Sequence, residues 1–326
     1  TALTLYFDQR CQEIRNAAAM RSDRWAGWDI GMKVAAVWGN PPIADTLKEK
    51  LRNLLLDRII YLDTMDINER SVSRFVADWR RERPRVVFGH AHSIYILATY
   101  LRRMGIGDLS PRGIIATSMM LLEPERQVIE AVFGCPVTNR YGCEEVGLIG
   151  CECEQHRGLH LNVDHLVVEF LRHDGTQAVP GEEANIVVTD LVNRGMPLIR
   201  YQVEDRGVPS DRMCPCGRGL PLMERVAGRQ ADFLKRPDGS LVAGVSLVER
   251  TLTAIPGIEQ MQLVQDELHR VRAKVVKDNR FDEMAEHRLR NELQTVFGEK
   301  VTVEIQYLPA LDQTRSGKYR FAICTV

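Results

Sequence analysis

The sequence predicts an α/β core followed by a β-rich stretch and a small α+β unit. Three observations carry this. Strand and helix signals alternate up to Gly134; short strand-like runs broken by turns fill 135–228; and from about 229 the order becomes helix, strand, strand, helix, strand. Alternation of the first kind calls for parallel strands joined by crossover helices. The domain reading is a large unit over 1–228, with an α/β core at 1–134 and a β-rich part at 135–228, and a small unit over 229–326.

Each element has a local reason. Residues 2–7 read as a strand. Asp8 is a plausible N-cap for the helix DQRCQEIRNAAAM. KVAAVWG (33–39) reads as a buried strand, IADTLKEKLRNLLL as a helix and RIIYLD (58–63) as a strand. A helix starts near Asn68 and stops at Arg83, because Pro84 disfavours helical backbone in the residue before it. RVVFGH (85–90), a helix over 93–104, GIIATS (113–118) and a helix over 123–133 continue the alternation. Beyond Gly134, LVVEFL, NIVVTDL and PLIRY read as strands, separated by turns such as HDG and VPGEE. In the last unit VSLVERTLTAI and FDEMAEHRLRNELQTVFG read as helices, and IEQMQLVQ, HRVRAKVVK and VTVEIQYL as strands.

Composition narrows the function classes. The chain has 326 residues, of which 44% are hydrophobic and 27% charged, an ordinary globular balance. Lys and Arg (43) nearly cancel Asp and Glu (44), leaving −1, so no global charge draws the chain to nucleic acid. The basic run 80–85 lacks interleaved aromatics and reads as a solvated helix end. No apolar run approaches the roughly 20 residues that span a bilayer. The opening TALTLYFDQR has neither the basic front nor the apolar stretch of a secretory signal. The expectation is a soluble, cytoplasmic protein with no nucleic-acid partner. The motifs GxSxG and GxxxxGK[ST] are absent, which removes the serine-hydrolase and P-loop readings.

Four constellations could carry chemistry. In Tyr141-Gly142-Cys143-Glu144-Glu145-Val146-Gly147, two carboxylates on a Gly-bounded turn could hold Mg²⁺, which takes oxygen ligands and shares them with phosphates; an ordinary polar turn is the alternative. In the run from Thr189 to Asp205, a strand ending in Arg200-Tyr201 would deliver Asp205 on the following turn, where its carboxylate could accept two hydroxyl hydrogen bonds or merely cap the turn. Of the eight cysteines, four form close pairs, Cys151/Cys153 and Cys214/Cys216. With His156 they offer thiolate and imidazole, the usual ligands of a closed structural zinc; inert buried thiols are the alternative. Cys153, His156, Cys214 and Cys216 are the preferred quartet, with Cys151 in reserve and His160 a weaker reserve. Last, Lys318 follows Ser316-Gly317 on a loop, where a mobile cation could reach a phosphoryl or carboxylate oxygen or simply stay solvated. His90 and His92, in GHAHS, sit at a strand–helix junction. They could face a pocket with Tyr95, but a helix N-terminus with Ser93 nearby explains them as well.

The order of these motifs resembles the phenylacetate–coenzyme A ligase branch of the adenylate-forming superfamily, especially its capsular-polysaccharide-biosynthesis and coenzyme F390 synthetase-like relatives. YGCEEVG resembles the family's Tyr-Gly-x-x-Glu loop, TDLVNRGMPLIRYQVED its run ending in a ribose-binding Asp, CPCGRGLPLMERVAGRQAD its Cys-x-Cys-Gly-Arg segment and hinge, and SGKYR its C-terminal Gly-Lys. The match is dense over 84–235 and near the C-terminus. The resemblance implies an adenylate-forming fold with a small, mobile C-terminal lid, and a two-step reaction. A carboxylate displaces pyrophosphate from ATP to give an acyl-adenylate; a thiol such as coenzyme A then displaces AMP. By position it implies that Tyr141, Gly142, Cys143 and Glu144 line the nucleotide, with Thr117 and Ser118 near the adenine. It further implies that Glu145 holds Mg²⁺, Asp205 binds the ribose, Arg229 sits at the hinge and Lys318 serves the adenylation step. ATP, Mg²⁺, coenzyme A or another thiol, and a small carboxylic acid, aryl or acyl, are the implied cofactors and partners. The assembly state is open, a homodimer included.

The sequence also departs from the family pattern. TALTLYFD resembles the segment just after the family's phosphate loop, so the expectation is a chain that begins downstream of that loop, a fragment whose large domain is truncated and whose own adenylation is weak or absent. Met119 stands where Glu is frequent, Thr117–Ser118 replace a small pair, Glu204 stands where Gly is common, and Ala231 replaces the first hinge Asp. Two rivals follow: a non-catalytic, zinc-stabilised relative in polysaccharide biosynthesis, and an enzyme transferring AMP to a hydroxyl acceptor.

Overall fold

The computed structural model describes residues 4–39, 46–53, 58–229, 233–312 and 319–326. The chain divides into two compact units, one built from 1–121, 125–203 and 207–226, the other from 122–124, 204–206 and 227–326.

In the first unit, α1 (Gln9–Trp25) is capped by the Asp8 carboxylate, which accepts from the Cys11 N–H at 2.8 Å. Residues 4–7, expected to be extended, belong to no strand. Then come β1 (Val34–Trp38), α2 (Leu47–Arg52), β2 (Ile59–Asp63), α3 (Glu69–Glu82), β3 (Val86–His90), α4 (Ala91–Arg103), β4 (Gly113–Thr117), α5 (Glu123–Phe133) and β5 (Val137–Cys143). The α3 boundaries follow the local signals. Asn68 forms a capping box with Ser71, and Arg83 takes the left-handed conformation (φ 51°) just before Pro84. Strands β1 to β5 run parallel, as alternation demands.

The sheet then turns antiparallel. Strands β6 (Gly147–Glu152), β7 (Leu159–Leu161), β8 (Leu166–Leu171), β9 (Ala184–Asp190), β10 (Tyr201–Ser210) and β11 (Leu222–Arg229) extend it to eleven strands, in the order β2-β1-β3-β4-β5-β6-β7-β11-β10-β9-β8. A core of Val146, Ile149, Leu161, Phe170, Ile186 and Met223 supports this half. One expectation is corrected. PLIRY is not a strand; β10 only begins at Tyr201, and Asp205 lies within it and not on a turn after it. Pro197 cannot donate to a ladder, and Arg200 sits at φ 50°, outside strand geometry.

The second unit holds β12 (Phe233–Lys235), β13 (Leu241–Ala243), α6 (Gly244–Ala254), β14 (Ile258–Glu267), β15 (Arg270–Lys277), α7 (Glu283–Phe297), β16 (Thr302–Tyr307) and β17 (Ala322–Cys324). Its main sheet has the order β16-β15-β14-β17, with α6 on β14 and α7 on β16. The helix–strand–strand–helix–strand reading is present here, and β12, β13 and β17 are additions. Among the described residues, no helix is long and apolar enough to cross a membrane.

Candidate functional site

Parallel strands β4 and β5 lie side by side, Ala116 opposite Asn139, so Thr117–Ser118 and the end of β5 lie at the same carboxyl end of the parallel strands. In open α/β sheets that is where ligands bind. Ser118 adopts φ 63° there and is exposed, while Thr117 is half-buried. The 141–147 segment is a hairpin: β5 and β6 pair Tyr141 with Gly150 and Cys143 with Gly147, with a register shift after Tyr141. Gly142 is required, because a Cβ would lie 2.4 Å from the Gly147 carbonyl oxygen. Gly147 itself has φ 78°. The hairpin presents Glu144 exposed and Glu145 half-buried.

Glu145 is held at two points. Its Oε1 accepts from the Tyr201 hydroxyl at 3.0 Å, and its backbone carbonyl accepts from Arg15 Nη2 at 2.7 Å. Cys143 beside it is pushed up to about 12 by burial and by the Glu145 charge, so it stays a neutral thiol. Two adjacent hard carboxylates, one oriented by a neighbouring hydroxyl, suit a Mg²⁺ that shares its shell with phosphates. Asp205 is buried within β10 and directly follows Glu204, whose backbone is left-handed at φ 62°. Glycine tolerates such a conformation and other residues rarely adopt it. Arg229 closes β11, but its side chain lies outside the described residues, as does Lys318 altogether.

The second constellation is a cluster of soft ligands. Cys153, His160, Cys214 and Cys216 bring one ligand atom each within 4.8 Å of one another. Cys153 Sγ lies 3.6 Å from Cys214 Sγ, and Cys216 Sγ lies 3.4 Å from His160 Nε2. Tetrahedral zinc with ordinary bond lengths puts S···S at about 3.8 Å and S···N at about 3.6 Å, so these edges fit a Cys₃His shell. Burial raises the Cys153 thiol to about 12. For Cys216 burial works in the same direction, but hydrogen bonds from Arg218, Cys214 and Cys153 together outweigh it and the thiol ends below its usual value.

The preferred quartet thus changes by one member. His156 does not join the thiols: at φ 48° it turns Nδ1 onto Glu152 Oε2, 3.1 Å away. Glu152 also takes Arg126 in a two-pronged contact (2.8 and 3.0 Å) and the Asn139 N–H. Cys151 is also outside the quartet, fully buried near Asp23 and Arg140. His160 takes the place because β7 pairs with both β6 and β11, which carries it to the turn at Cys214–Gly217.

His90 and His92 are both buried. His90 lies against Trp38, ring centroids 4.2 Å apart, and His92 Nδ1 makes a very short contact with Glu125 Oε1. Glu125 and Arg15 have no local sequence signature, and Asp190 and Tyr201 lie in the 189–205 run with nothing local to mark their partners; Arg15 meets Glu145 and Asp190 across 130 and 175 residues.

Comparison with known proteins agrees with this architecture. Residues 234–325 match the family described as the CapK C-terminal domain. The chain is 24% identical over 300 residues to Protein CapK of Staphylococcus aureus, covering 90% of this chain and 65% of that protein. It is 32% identical over 114 residues to phenylacetate-coenzyme A ligase of Escherichia coli K12, covering 33% of this chain and 25% of the ligase. The chain therefore spans less than two thirds of these relatives. Among solved structures, 2-hydroxyisobutyryl-CoA ligase in complex with R3-HIB-AMP superposes with a TM-score of 0.71 at 17% identity, covering 97% of this chain and 70% of that one. The anthranilate CoA ligase AuaEII in complex with anthranoyl-AMP gives 0.66 at 13% identity, covering 95% and 62%.

Proposed function

We propose that this chain, which has the fold of the adenylate-forming CoA ligases and resembles their phenylacetate–CoA ligase branch, binds ATP and activates a small carboxylic acid. The observation that carries the reading is the 141–147 hairpin: a glycine-tight turn at the carboxyl end of the parallel strands, presenting Glu145 already oriented by Tyr201. A ligase-type activity fits the similarities to CoA ligases.

The chemistry asks for position and charge, not for a protein nucleophile. A carboxylate oxygen attacks the α-phosphorus of ATP, and the bond to pyrophosphate breaks. A thiol sulfur, that of coenzyme A on this reading, then attacks the acyl carbon, and AMP leaves with the electron pair. Tyr141, Gly142, Cys143 and Glu144 line the nucleotide, Thr117 and Ser118 adjoin the adenine, and Asp205 accepts from the ribose hydroxyls. Glu145 holds Mg²⁺, which when bound neutralises phosphate charge. Arg229 works at the hinge, and Lys318 brings a positive charge to the adenylation step and leaves for the second. A structural zinc on Cys153, His160, Cys214 and Cys216 ties the 153–160 segment to the 214–217 turn. A cytoplasmic setting, where ATP and coenzyme A are both available, belongs to the same reading.

The test is ATP–pyrophosphate exchange with a panel of aryl and acyl acids, alongside calorimetric titration with ATP. Exchange with one acid supports the reading; no exchange with any, together with no ATP binding, contradicts it. A second reading, a zinc-stabilised relative that serves polysaccharide biosynthesis without this chemistry, draws on the similarity to Protein CapK, which covers 90% of the chain against 33% for the E. coli ligase. Lys318→Ala separates the two. Loss of exchange supports the ligase, and unchanged biological function of the variant supports the rival. Mass analysis of the products distinguishes thioester formation from AMP transfer to a hydroxyl.

A further inference from the structure

Arg15 is buried on α1, far in sequence from every motif above, yet its Nη2 donates to two acceptors at once. One is the Glu145 carbonyl at 2.7 Å, the other Asp190 Oδ2 at 2.6 Å. The Asp190 side chain is fully buried, and its Oδ1 accepts from the Val192 and Asn193 N–H groups at 2.9 and 3.1 Å. The same loop is tied to the N-terminal segment. Asn193 Nδ2 donates to the Tyr6 carbonyl and the Arg194 N–H to Asp8 Oδ2. The Arg15 guanidinium also stacks 4.4 Å from the Phe7 ring centroid. Its aliphatic stem lies so close to Gly147 that a Cβ there would sit 3.2 Å from Arg15 Cδ.

A buried ion pair is a poor source of net stability, because desolvation offsets the attraction. What two short charge-assisted bonds do supply is fixed geometry. We propose that Arg15 is a positioning residue, held by Asp190, that fixes the Glu145 turn for the magnesium–nucleotide; this rests on the reading of Glu145 given above. Tyr201 orients the Glu145 side chain and Arg15 its backbone, the kind of outer support that ordinarily costs 10–100-fold in metal affinity when removed. Gly147 completes the device by leaving room for the arginine stem.

The experiment titrates ATP into the full chain by calorimetry, with Mg²⁺ and with EDTA. Wild-type protein binds ATP more tightly with Mg²⁺. Arg15→Met keeps the metal-free affinity within about twofold and loses roughly tenfold or more of the Mg²⁺ enhancement. Arg15→Lys falls between, since an ammonium lacks the guanidinium fork. If Arg15→Met does not fold, isosteric Asp190→Asn carries the same expectation. A folded variant with the full Mg²⁺ enhancement overturns the inference while leaving the Glu145 reading intact. Wild-type protein indifferent to Mg²⁺ overturns the Glu145 reading and this inference with it.

Discussion

Glu145, His160 and Gly147 show what single residues contribute. The zinc reading rests on residue identity. His160 and His156 are four positions apart, but only His160 shares a cluster with the three thiols. Purified protein is expected to carry about one zinc per chain. Metal analysis of His160→Ala should show most of it lost, and His156→Ala should keep it. Equal occupancy in both variants, or none in the wild type, contradicts the assignment. Gly147→Ala places a Cβ at φ 78° against Arg15 and should cost roughly 1–2 kcal/mol, read from the urea midpoint. The cysteine pairs stand in plain view in the sequence, and the histidine that clusters with them does not, for a physical reason. Proximity along the chain favours His156, whereas the pairing of β7 with β6 and β11 decides which imidazole reaches the sulfurs.

At the scale of elements, local signals were reliable and long-range ones were not. The ends of α3 follow from Asn68 and Pro84, and the start of α1 follows from Asp8. PLIRY failed as a strand because its apolar pattern hides Pro197 and a left-handed Arg200, which delay β10 until Tyr201. The Arg15–Asp190 contact could not be read at all, since it joins α1 to the end of β9. Two predictions belong here. Gly113 starts β4 where a Cβ would lie 1.8 Å from the Ala26 carbonyl oxygen just after α1. Gly113→Ala must push backbone apart and should cost about 2–4 kcal/mol, measured by urea unfolding. Asp8 accepts from the Cys11 and Arg194 N–H groups, and these bonds hold its carboxyl below the usual value. Its contribution is therefore present above the unfolded carboxyl's range and is lost as pH falls through the lower folded value. Asp8→Ala should lower the Tm at pH 7 and narrow the gap to wild type at low pH.

For the molecule as a whole, the alternation of strands and helices gave the parallel half of the large sheet, and the changed texture after Gly134 gave the antiparallel half. The family resemblance agrees with the fold of the CoA ligases. The central claim is that nucleotide binds beside the 141–145 turn with its ribose on Asp205. Calorimetric titration of Mg·ATP into wild-type protein and Asp205→Ala tests it most directly. The account predicts saturable one-site binding that the substitution weakens roughly tenfold or more, as loss of hydrogen bonds to a charged acceptor would. Equal affinity in the two proteins, or no binding to either, would contradict it.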